Sequence, residues 1–253
     1  MTPPISRLRR NLAVRCRLLR AALFKRAIQE DVFAVAEKNY MPYRDVIAEI
    51  DPFEFVGVNP GPADFQTIPA PASFLGPDDP PYYVSEAGVS RFLARLAVHR
   101  SSTTILELGC FVGWTTAHLA RAAEHLGGNA HVWAVELDGP RARLAERNLS
   151  TQPGAARVTF LAGSSLDPSL HERLPRGLDL VFIDTLHTYE TTRREIEIYG
   201  ARLNPGGCLV LHDSLSFGGV RKAITDAGDH YARFTFASVH GNGMSVIVPR
   251  AIR

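Results

Sequence analysis

The sequence is poor in cysteine and contains no long apolar segment. Cys16, Cys110 and Cys208 are the only cysteines in 253 residues, too few and too scattered for a disulfide framework or a cysteine-based zinc site. No apolar run approaches the ~18 residues that a membrane-spanning helix requires. With 45% hydrophobic residues, the chain can still bury a substantial core. We therefore expect a cytoplasmic globular protein.

Acidic residues are absent from positions 1–29, where eight lysines and arginines lie. Leucines and other apolar residues alternate with these charges, so the pattern predicts a basic amphipathic helix. We favour a helix that covers an active site or forms a homodimer. An anionic membrane surface is a less favoured partner, and we expect no nucleic-acid partner, although RNA binding fits the charge. The segment lacks the cleavage site of a secretory signal.

The chain divides into three predicted regions. Residues 1–50 form a helical N-terminal region, residues 51–83 a proline-rich lid or linker, and residues 84–253 the main domain. Seven prolines lie between Pro60 and Pro81, where they disfavour both helix and strand. Because the same stretch is rich in aromatic residues, we expect it to pack over a binding pocket.

From residue 84 onward, predicted strands alternate with predicted helices, which is typical of an α/β domain. The predicted strands are 103–108, 131–136, 157–162, 179–184, 207–212, 234–239 and 244–248. A turn at Pro205–Gly207 separates a helix over 189–203 from the fifth strand. The residues His240–Gly243 favour a hairpin between the last two strands.

The most informative segment runs from Ile105 to Thr116, where an apolar strand ends in an acid and two glycines before a helix. Gly109 and Gly113 allow a sharp turn and a close approach of the backbone to a ligand. Glu107 would repel the pyrophosphate of a dinucleotide but suits the ammonium group of a sulfonium amino acid such as S-adenosylmethionine. An NAD-dependent dehydrogenase is further disfavoured because Gly-x-Gly-x-x-Gly is absent.

The next two strands supply further candidate contacts for a nucleoside. Glu136 ends the second predicted strand, where a carboxylate can accept hydrogen bonds from both ribose hydroxyls. Gly163, Ser164 and Ser165 follow the third strand and are small enough to lie beside an adenine ring. Cys110 lies within the glycine turn, where we favour a small apolar packing role over contact with a cofactor.

On these motifs the chain resembles the class I S-adenosylmethionine-dependent methyltransferases. The resemblance is to the branch of catechol and caffeoyl-CoA O-methyltransferases and of bacterial enzymes that methylate antibiotics and macrolide sugars, and it covers residues 86–248. It implies a Rossmann-like, doubly wound, seven-stranded and mostly parallel sheet with a C-terminal antiparallel hairpin and an N-terminal helical appendage. The candidate cofactor-binding residues are Glu107, Gly109, Cys110, Phe111, Gly113, Thr115, Glu136, Leu137, Gly163, Ser164, Ser165 and Asp184.

Three polar residues end the fourth and fifth predicted strands and form a candidate metal site. Asp184, His212 and Asp213 should face one crevice, because ligands of an open parallel sheet bind outside the carboxyl ends of its strands. Carboxylates suit Mg²⁺ or Mn²⁺. The family usually has an acid where His212 stands, and histidine fits Mg²⁺ poorly. Either the metal is softer or absent, or His212 only fixes a neighbouring loop.

His187, three residues after Asp184, is the candidate general base, and we expect Asp184 to take part in catalysis by holding the metal. Imidazole titrates near neutral pH and can accept the proton of an acceptor hydroxyl. The resembling sugar O-methyltransferases have histidine at this position, whereas the catechol enzymes have lysine. We predict an O-methyltransferase that acts on a hydroxyl of a small molecule, a secondary metabolite, with help from a divalent metal. The alternatives are a metal-independent N- or C-methyltransferase, and a non-catalytic protein that binds RNA or a membrane surface.

Overall fold

The computed structural model describes residues 34–35, 73–75, 84–85, 87–237 and 242–250. The predicted basic helix at residues 1–29, the rest of the N-terminal region apart from Ala34 and Val35, and most of the proline-rich segment lie outside the described residues. None of the helices in the described ranges combines the length and the apolar content needed to cross a bilayer.

The described residues form strands and helices in alternation. The strands are β1 (Ala34–Val35), β2 (Thr104–Leu108), β3 (His131–Glu136), β4 (Val158–Ala162), β5 (Leu178–Ile183), β6 (Leu203–His212), β7 (Tyr231–Ala237) and β8 (Met244–Pro249). The α-helices are α1 (Ala87–His99), α2 (Trp114–Leu126), α3 (Gly139–Leu149), α4 (Pro168–Arg173), α5 (Tyr189–Gly200) and α6 (Gly218–Asp226). Short 3₁₀ turns cover Ala155–Arg157 and Gly228–His230.

The strands form one sheet in the order β1-β7-β8-β6-β5-β2-β3-β4. The neighbours from β6 to β4 pair in parallel, whereas β8 pairs antiparallel with both β6 and β7. This confirms the predicted doubly wound, mostly parallel sheet with its C-terminal antiparallel hairpin. All seven predicted strands are present.

The hydrophobic core occupies both faces of this sheet. Ile105 and Leu106 are neighbours on β2 and contribute to different core clusters, because successive side chains of a strand point to opposite faces. Ile105 lies with Phe92 of α1 and Leu119 of α2. Leu106 lies with Tyr199 of α5 on the other face. Helices therefore cover both faces, and the edge where the parallel strands end stays available for polar groups.

Two short segments differ from the sequence prediction. Ala34 and Val35 form a strand that pairs antiparallel with β7, where the sequence predicted a helix. Helix α5 ends at Gly200 instead of residue 203, and β6 already begins at Leu203. The register between β5 and β6 shifts after the pair Leu178 and Leu203. The predicted turn at Pro205–Gly207 is therefore an irregularity inside β6, which its glycines accommodate.

Phe74 is buried in the described part of the proline-rich segment. Phe74 is 2% exposed and packs edge-to-face on Trp114 of α2, with 5.5 Å between the ring centroids. Its carbonyl accepts a hydrogen bond from the side chain of Asn148 at 2.7 Å. This ring has a packing role in the core.

Candidate functional site

The carboxyl ends of the parallel strands bring the predicted site residues to one edge of the sheet. The glycine turn follows β2, Glu136 ends β3, Ser165 follows β4, Asp184 follows β5 and Asp213 follows β6. Because these strands run parallel and adjacent, their ends form one continuous row of loops. The structure thus brings together both the predicted cofactor residues and the predicted metal ligands.

The two glycines of the turn are required by contacts within the protein. Both have φ of +87°, a conformation that disfavours side chains. A Cβ atom at Gly109 would collide with the backbone carbonyl of Asp184, and one at Gly113 would lie 3.3 Å from the Cβ of Ala145 on α3. The positive φ angles agree with the sharp turn predicted from the sequence, and the close protein packing is a further constraint that was not predicted; the approach of a ligand to these glycines stays a prediction. The first contact also fixes Asp184 against the glycine turn.

Glu107 is a buried carboxylate at the end of β2. It is 1% exposed, and its Oε2 accepts a hydrogen bond of 2.6 Å from the Thr116 hydroxyl. Burial raises the pKa of Glu107 to about 8; the Thr116 bond opposes this shift, whereas the negative charges of Asp184 and Glu136 reinforce it. The contact between the Glu107 carboxylate and the ammonium group of a ligand stays a prediction. Only 1% of the Glu107 surface is exposed.

Glu136 holds the glycine turn from the neighbouring strand. Its Oε2 accepts from the backbone N–H of Phe111 at 2.8 Å, and its Oε1 accepts from that of Asp138 at 3.0 Å. A carboxylate retains further acceptor sites after two such bonds, so a ribose contact remains compatible with this arrangement. The Arg141 guanidinium lies 4.4 Å from the centre of the Phe111 ring.

The remaining predicted cofactor residues vary in their surroundings. Cys110 is buried beside Ala134 and Ala145, and burial raises the pKa of its thiol. The hydroxyl of Thr115 lies 3.0 Å from that of Ser90 on α1. Leu137 is 60% exposed. Gly163 donates its N–H to the Glu136 carbonyl at 2.9 Å, and the hydroxyl of Ser164 accepts from the N–H of Leu166 at 3.2 Å.

Ser165 binds a residue that the sequence reasoning missed. Its hydroxyl donates to Oε1 of Glu195 on α5 at 2.6 Å, and the Thr185 hydroxyl donates to Oε2 at 2.9 Å. Glu195 is fully buried, and burial raises its pKa. A signal existed: Thr192, Glu195, Ile196 and Tyr199 are spaced as one helical face, so the pattern places a carboxylate on the buried side of α5.

Two acids and two histidines form a compact cluster at the ends of β5 and β6. His187 Nε2 lies 3.0 Å from Asp184 Oδ1 and 3.4 Å from Asp213 Oδ2. His212 Nδ1 lies 3.3 Å from the same Asp184 oxygen. The other carboxylate oxygen of Asp184 accepts from the Ser85 hydroxyl at 3.2 Å, a contact that the sequence did not predict.

The charges in this cluster stabilise one another. Burial alone would raise the pKa of Asp184, but the nearby His212 and the hydrogen bond from His187 outweigh it and lower this pKa. Burial likewise would lower the pKa of His187, and the bond to Asp184 with the charge of Asp213 raises it. The ionised form of Asp184 is therefore favoured, and the neighbouring carboxylates raise the pKa of His187 above its ordinary value.

Backbone geometry and an aromatic ring fix His187. Both His187 and Asp213 have φ of +57°, the left-handed conformation that is costly for residues with a side chain. The imidazole stacks on the Phe217 ring, with centroids 4.5 Å apart and planes 24° from parallel. Leu186 beside it is 62% exposed. The imidazole is thus held between carboxylates on one side and an aromatic face on another.

The predicted metal ligands are close enough to share one ion. Asp184, His212 and Asp213 each offer a ligand atom, and these atoms lie within 4.8 Å of one another. Two carboxylates and an imidazole suit Mn²⁺, Fe²⁺ or Zn²⁺ better than Mg²⁺. The donor set therefore fits a divalent transition metal.

Known proteins resemble this chain in both sequence and fold. A family model described as a methyltransferase domain matches residues 106–214. A catechol O-methyltransferase of Niastella koreensis is 30% identical over 127 residues, 49% of this chain and 55% of that protein. One of Mycobacterium tuberculosis is 31% identical over 167 residues, 65% of this chain and 73% of that protein. The structure of the Bacillus cereus O-methyltransferase in complex with SAH aligns at a TM-score of 0.57 and 20% identity, covering 73% of this chain and 93% of the other.

The elevated pKa of Glu107 makes the stability of the protein depend on pH. The unfolded chain ionises this carboxyl near 4.5 and the folded protein only near 8. Across this window the folded state binds the additional proton, so the free energy of unfolding falls as pH rises and levels off above it. Replacing Glu107 by Gln should remove this slope, so that the variant gains on the order of 3 kcal/mol relative to wild type between about pH 5 and pH 8.

Urea unfolding of both proteins at several pH values measures this difference. Other titrating groups are common to both proteins and cancel. Thr116→Val, which removes a bond that lowers the pKa of Glu107, should extend the slope to higher pH. Parallel profiles for wild type and Glu107→Gln would show that Glu107 is not the titrating group.

Proposed function

This chain belongs to the class I S-adenosylmethionine-dependent methyltransferases, and we propose that it transfers the methyl group to a hydroxyl oxygen of a small-molecule acceptor. Membership of this family confirms the predicted resemblance, the prediction of an enzyme and S-adenosylmethionine as its cofactor. The match spans only 55% of one relative and 73% of another, so the reaction of this chain, its acceptor and the role of a metal belong to the proposal.

The observation that carries the proposal is the contact between His187 and two carboxylates beside the cofactor-binding edge. Both short contacts use Nε2 of His187, so Nδ1 is the nitrogen that we assign to the acceptor. A carboxylate that fixes one imidazole nitrogen orients the ring and stabilises the cation formed when the other nitrogen takes a proton. This arrangement suits the removal of a proton from a hydroxyl.

The proposed reaction needs one proton transfer and one substitution. The acceptor hydroxyl gives its proton to Nδ1 of His187, and its oxygen attacks the methyl carbon of S-adenosylmethionine. The bond between this carbon and the sulfur breaks, and its electron pair stays on sulfur, which leaves S-adenosylhomocysteine. Positioning of the two reactants contributes much of the acceleration, because in-line transfer depends on alignment.

Carboxylates at this edge support the binding of the donor. Burial raises the pKa of Glu107, and Glu136 and Asp184 are close enough for their charges to raise it further. A sulfonium ion with an ammonium group brings positive charge to this cluster. We propose that Glu136 accepts hydrogen bonds from the ribose, and that the loop at Ser164 and Ser165 lies beside the adenine.

The surroundings of His187 favour an acceptor with an apolar part. Leu186 exposes 62% of its surface, and the ring of Phe217 stacks on His187. An aromatic or aliphatic body can pack on such side chains while its hydroxyl faces the imidazole. Two relatives are named catechol O-methyltransferases, so a vicinal aromatic diol is the first acceptor to test.

A divalent metal is the second component of the proposal. Asp184, His212 and Asp213 would hold it, and a bound ion would lower the pKa of an acceptor hydroxyl and orient it. Asp184 and Asp213 also contact His187. The same carboxylates are therefore available to the ion and to the imidazole, and a metal assay can distinguish these uses.

The test of the proposed function is methyl transfer in vitro. We expect the protein with S-adenosylmethionine to methylate an oxygen of at least one compound in a panel of catechols, phenols and sugar alcohols. Mass spectrometry detects the product and S-adenosylhomocysteine together. Amines and carbon acids of matching shape serve as the comparison. Transfer only to nitrogen or carbon would favour the alternative reaction class.

Removal of the proposed base should lower the rate with little effect on the cofactor. His187→Ala should decrease turnover about 100-fold or more, because proton transfer loses its acceptor. Calorimetry should give an affinity for S-adenosylhomocysteine within a few-fold of wild type. His230→Ala, at an exposed histidine, serves as the matched control. Unchanged turnover in His187→Ala would remove this residue from the mechanism.

Removal of the metal should reveal whether the ion contributes. If it does, a chelator should decrease turnover about tenfold or more, and Mn²⁺ should restore more activity than Mg²⁺ because His212 is a nitrogen ligand. Asp213→Asn should weaken Mn²⁺ binding in paramagnetic resonance titrations, whereas Asp226→Asn, at an exposed position of α6, should not. Full activity in the chelator would leave His187 as the base and exclude the metal from the reaction.

A further inference from the structure

We propose that Glu195 is a positioning residue that couples the cofactor loop, residues 163–167 after β4, to the catalytic loop, residues 184–188 between β5 and α5. Its two carboxylate oxygens bind one hydroxyl from each loop: Ser165 Oγ donates to Oε1 at 2.6 Å, and Thr185 Oγ1 donates to Oε2 at 2.9 Å. This inference rests on the proposed function, since it assigns these loops to the cofactor and the acceptor.

Burial makes Glu195 an unusual choice for a purely structural position. The residue is 0% exposed, and burying a carboxylate costs free energy that hydrogen bonds offset only in part. An apolar side chain of similar volume would pack on this face of α5 without that cost. Packing alone therefore does not explain a buried carboxylate at this position, whereas its hydrogen bonds to the two loops do.

Helix α5 holds the cofactor loop at a second point. Tyr199, one turn after Glu195, donates its hydroxyl to the backbone carbonyl of Ser165 at 2.6 Å. His171 Nε2 lies 2.8 Å from the same carbonyl. Both the side chain and the backbone of Ser165 are thus tied to other elements, and a shift of this loop is transmitted to α5.

The other end of the connection lies beside the reacting groups. Thr185 follows Asp184 directly and precedes His187 by two residues. Helix α5 starts immediately after this loop, where the Thr188 hydroxyl accepts from the N–H of Thr191 at 3.2 Å. Glu195 therefore sets the position of the catalytic loop both through Thr185 and through the helix that continues from it.

The physical consequence is that cofactor binding and base placement depend on one another. A nucleoside that packs against Ser165 fixes the direction of its hydroxyl and so favours the Glu195 contact. The carboxylate then holds Thr185, which keeps Asp184 and His187 in the geometry for proton transfer. A misplacement of about 1 Å at reacting atoms lowers rates by about 100-fold, so even a weak contact of this kind affects turnover.

The main variant is Glu195→Met, which keeps the side-chain volume and removes both acceptors. We expect S-adenosylhomocysteine to bind about tenfold more weakly and the single-turnover rate at saturating S-adenosylmethionine to fall about tenfold, because the buried hydroxyl of Ser165 and the partly buried hydroxyl of Thr185 lose their partner. Glu197→Met on the same helix, whose carboxylate is exposed and pairs with Arg193 and Arg194, should change both values by less than about twofold.

Thr185 tests the connection without changing the carboxylate. Thr185→Val should lower the single-turnover rate, and Thr185→Ser, which keeps the hydroxyl, should restore it. Adding Thr185→Val to Glu195→Met should cause no further loss, because the bond is already absent and the two changes act as a unit. Independent, multiplicative losses would contradict the coupling. The single variants Thr185→Val and Thr185→Ser still test the connection if Glu195→Met does not fold.

Hydrogen exchange supplies a readout that needs no methyl transfer. Binding of S-adenosylhomocysteine should protect the amides of 184–188 in wild type and in Glu197→Met, and much less in Glu195→Met. Equal protection in all three proteins would overturn the inference, as would a variant that loses only thermal stability while affinity and rate stay unchanged. A wild type that transfers no methyl group contradicts the proposed function alone, and the exchange comparison still decides the role of Glu195.

Discussion

The concentration of negative charge at the carboxyl ends of the parallel strands is the constraint on which the site depends. Glu107, Glu136, Asp184, Glu195 and Asp213 all lie at or beneath this edge, and Glu107 and Glu195 are fully buried. Like charges in a low dielectric repel and must be neutralised, bonded or protonated. The protein uses all three means: hydroxyls and backbone N–H groups bond to Glu136 and Glu195, histidines neutralise Asp184, and burial raises the pKa of Glu107. An edge of this kind is prepared for a cationic ligand, and a sulfonium methyl donor is one.

Tight backbone packing fixes the positions of the loops that carry these charged residues. Gly109 lies so close to the Asp184 carbonyl that no Cβ fits, which locks the glycine turn to the catalytic loop. On the other side, a Cβ at Gly219 would lie 2.8 Å from the His187 carbonyl, so the start of α6 is pressed against the same loop. His187 and Asp213 remain in left-handed conformations under this packing. Strained residues that the surroundings hold in place are common where side chains must be aimed accurately, and here both belong to the proposed reaction centre.

The sequence predicted those site residues whose positions follow from local sequence pattern. The glycine turn, the acid at the end of β3 and the aspartates after β5 and β6 each stand where a strand ends, and parallel topology then brings them together. The hydrogen bonds of Glu195 could not be predicted from local pattern, because they join α5 to two separate loops. The helical spacing of its buried neighbours did indicate that Glu195 lies on the buried face of α5. The packing of Gly109 and Gly113 against Asp184 and Ala145 was not predicted, and the ligand approach assigned to these glycines stays a prediction. The irregular start of β6 was missed because its Pro-Gly-Gly sequence also describes an ordinary turn.

His212 places an imidazole in the proposed reaction centre where the sequence resemblance led us to expect an acid. A third carboxylate beside Asp184 and Asp213 would raise the negative charge and favour a hard ion such as Mg²⁺. An imidazole instead lies 3.3 Å from Asp184 Oδ1 and helps to keep that carboxylate ionised. The two aspartates therefore need less positive charge from a bound ion, because His187 and His212 both lie beside them. Within the proposed function, an imidazole at this position favours a softer metal, or proton transfer by histidine, over Mg²⁺, and the methyl donor would bring positive charge to the other end of the same edge.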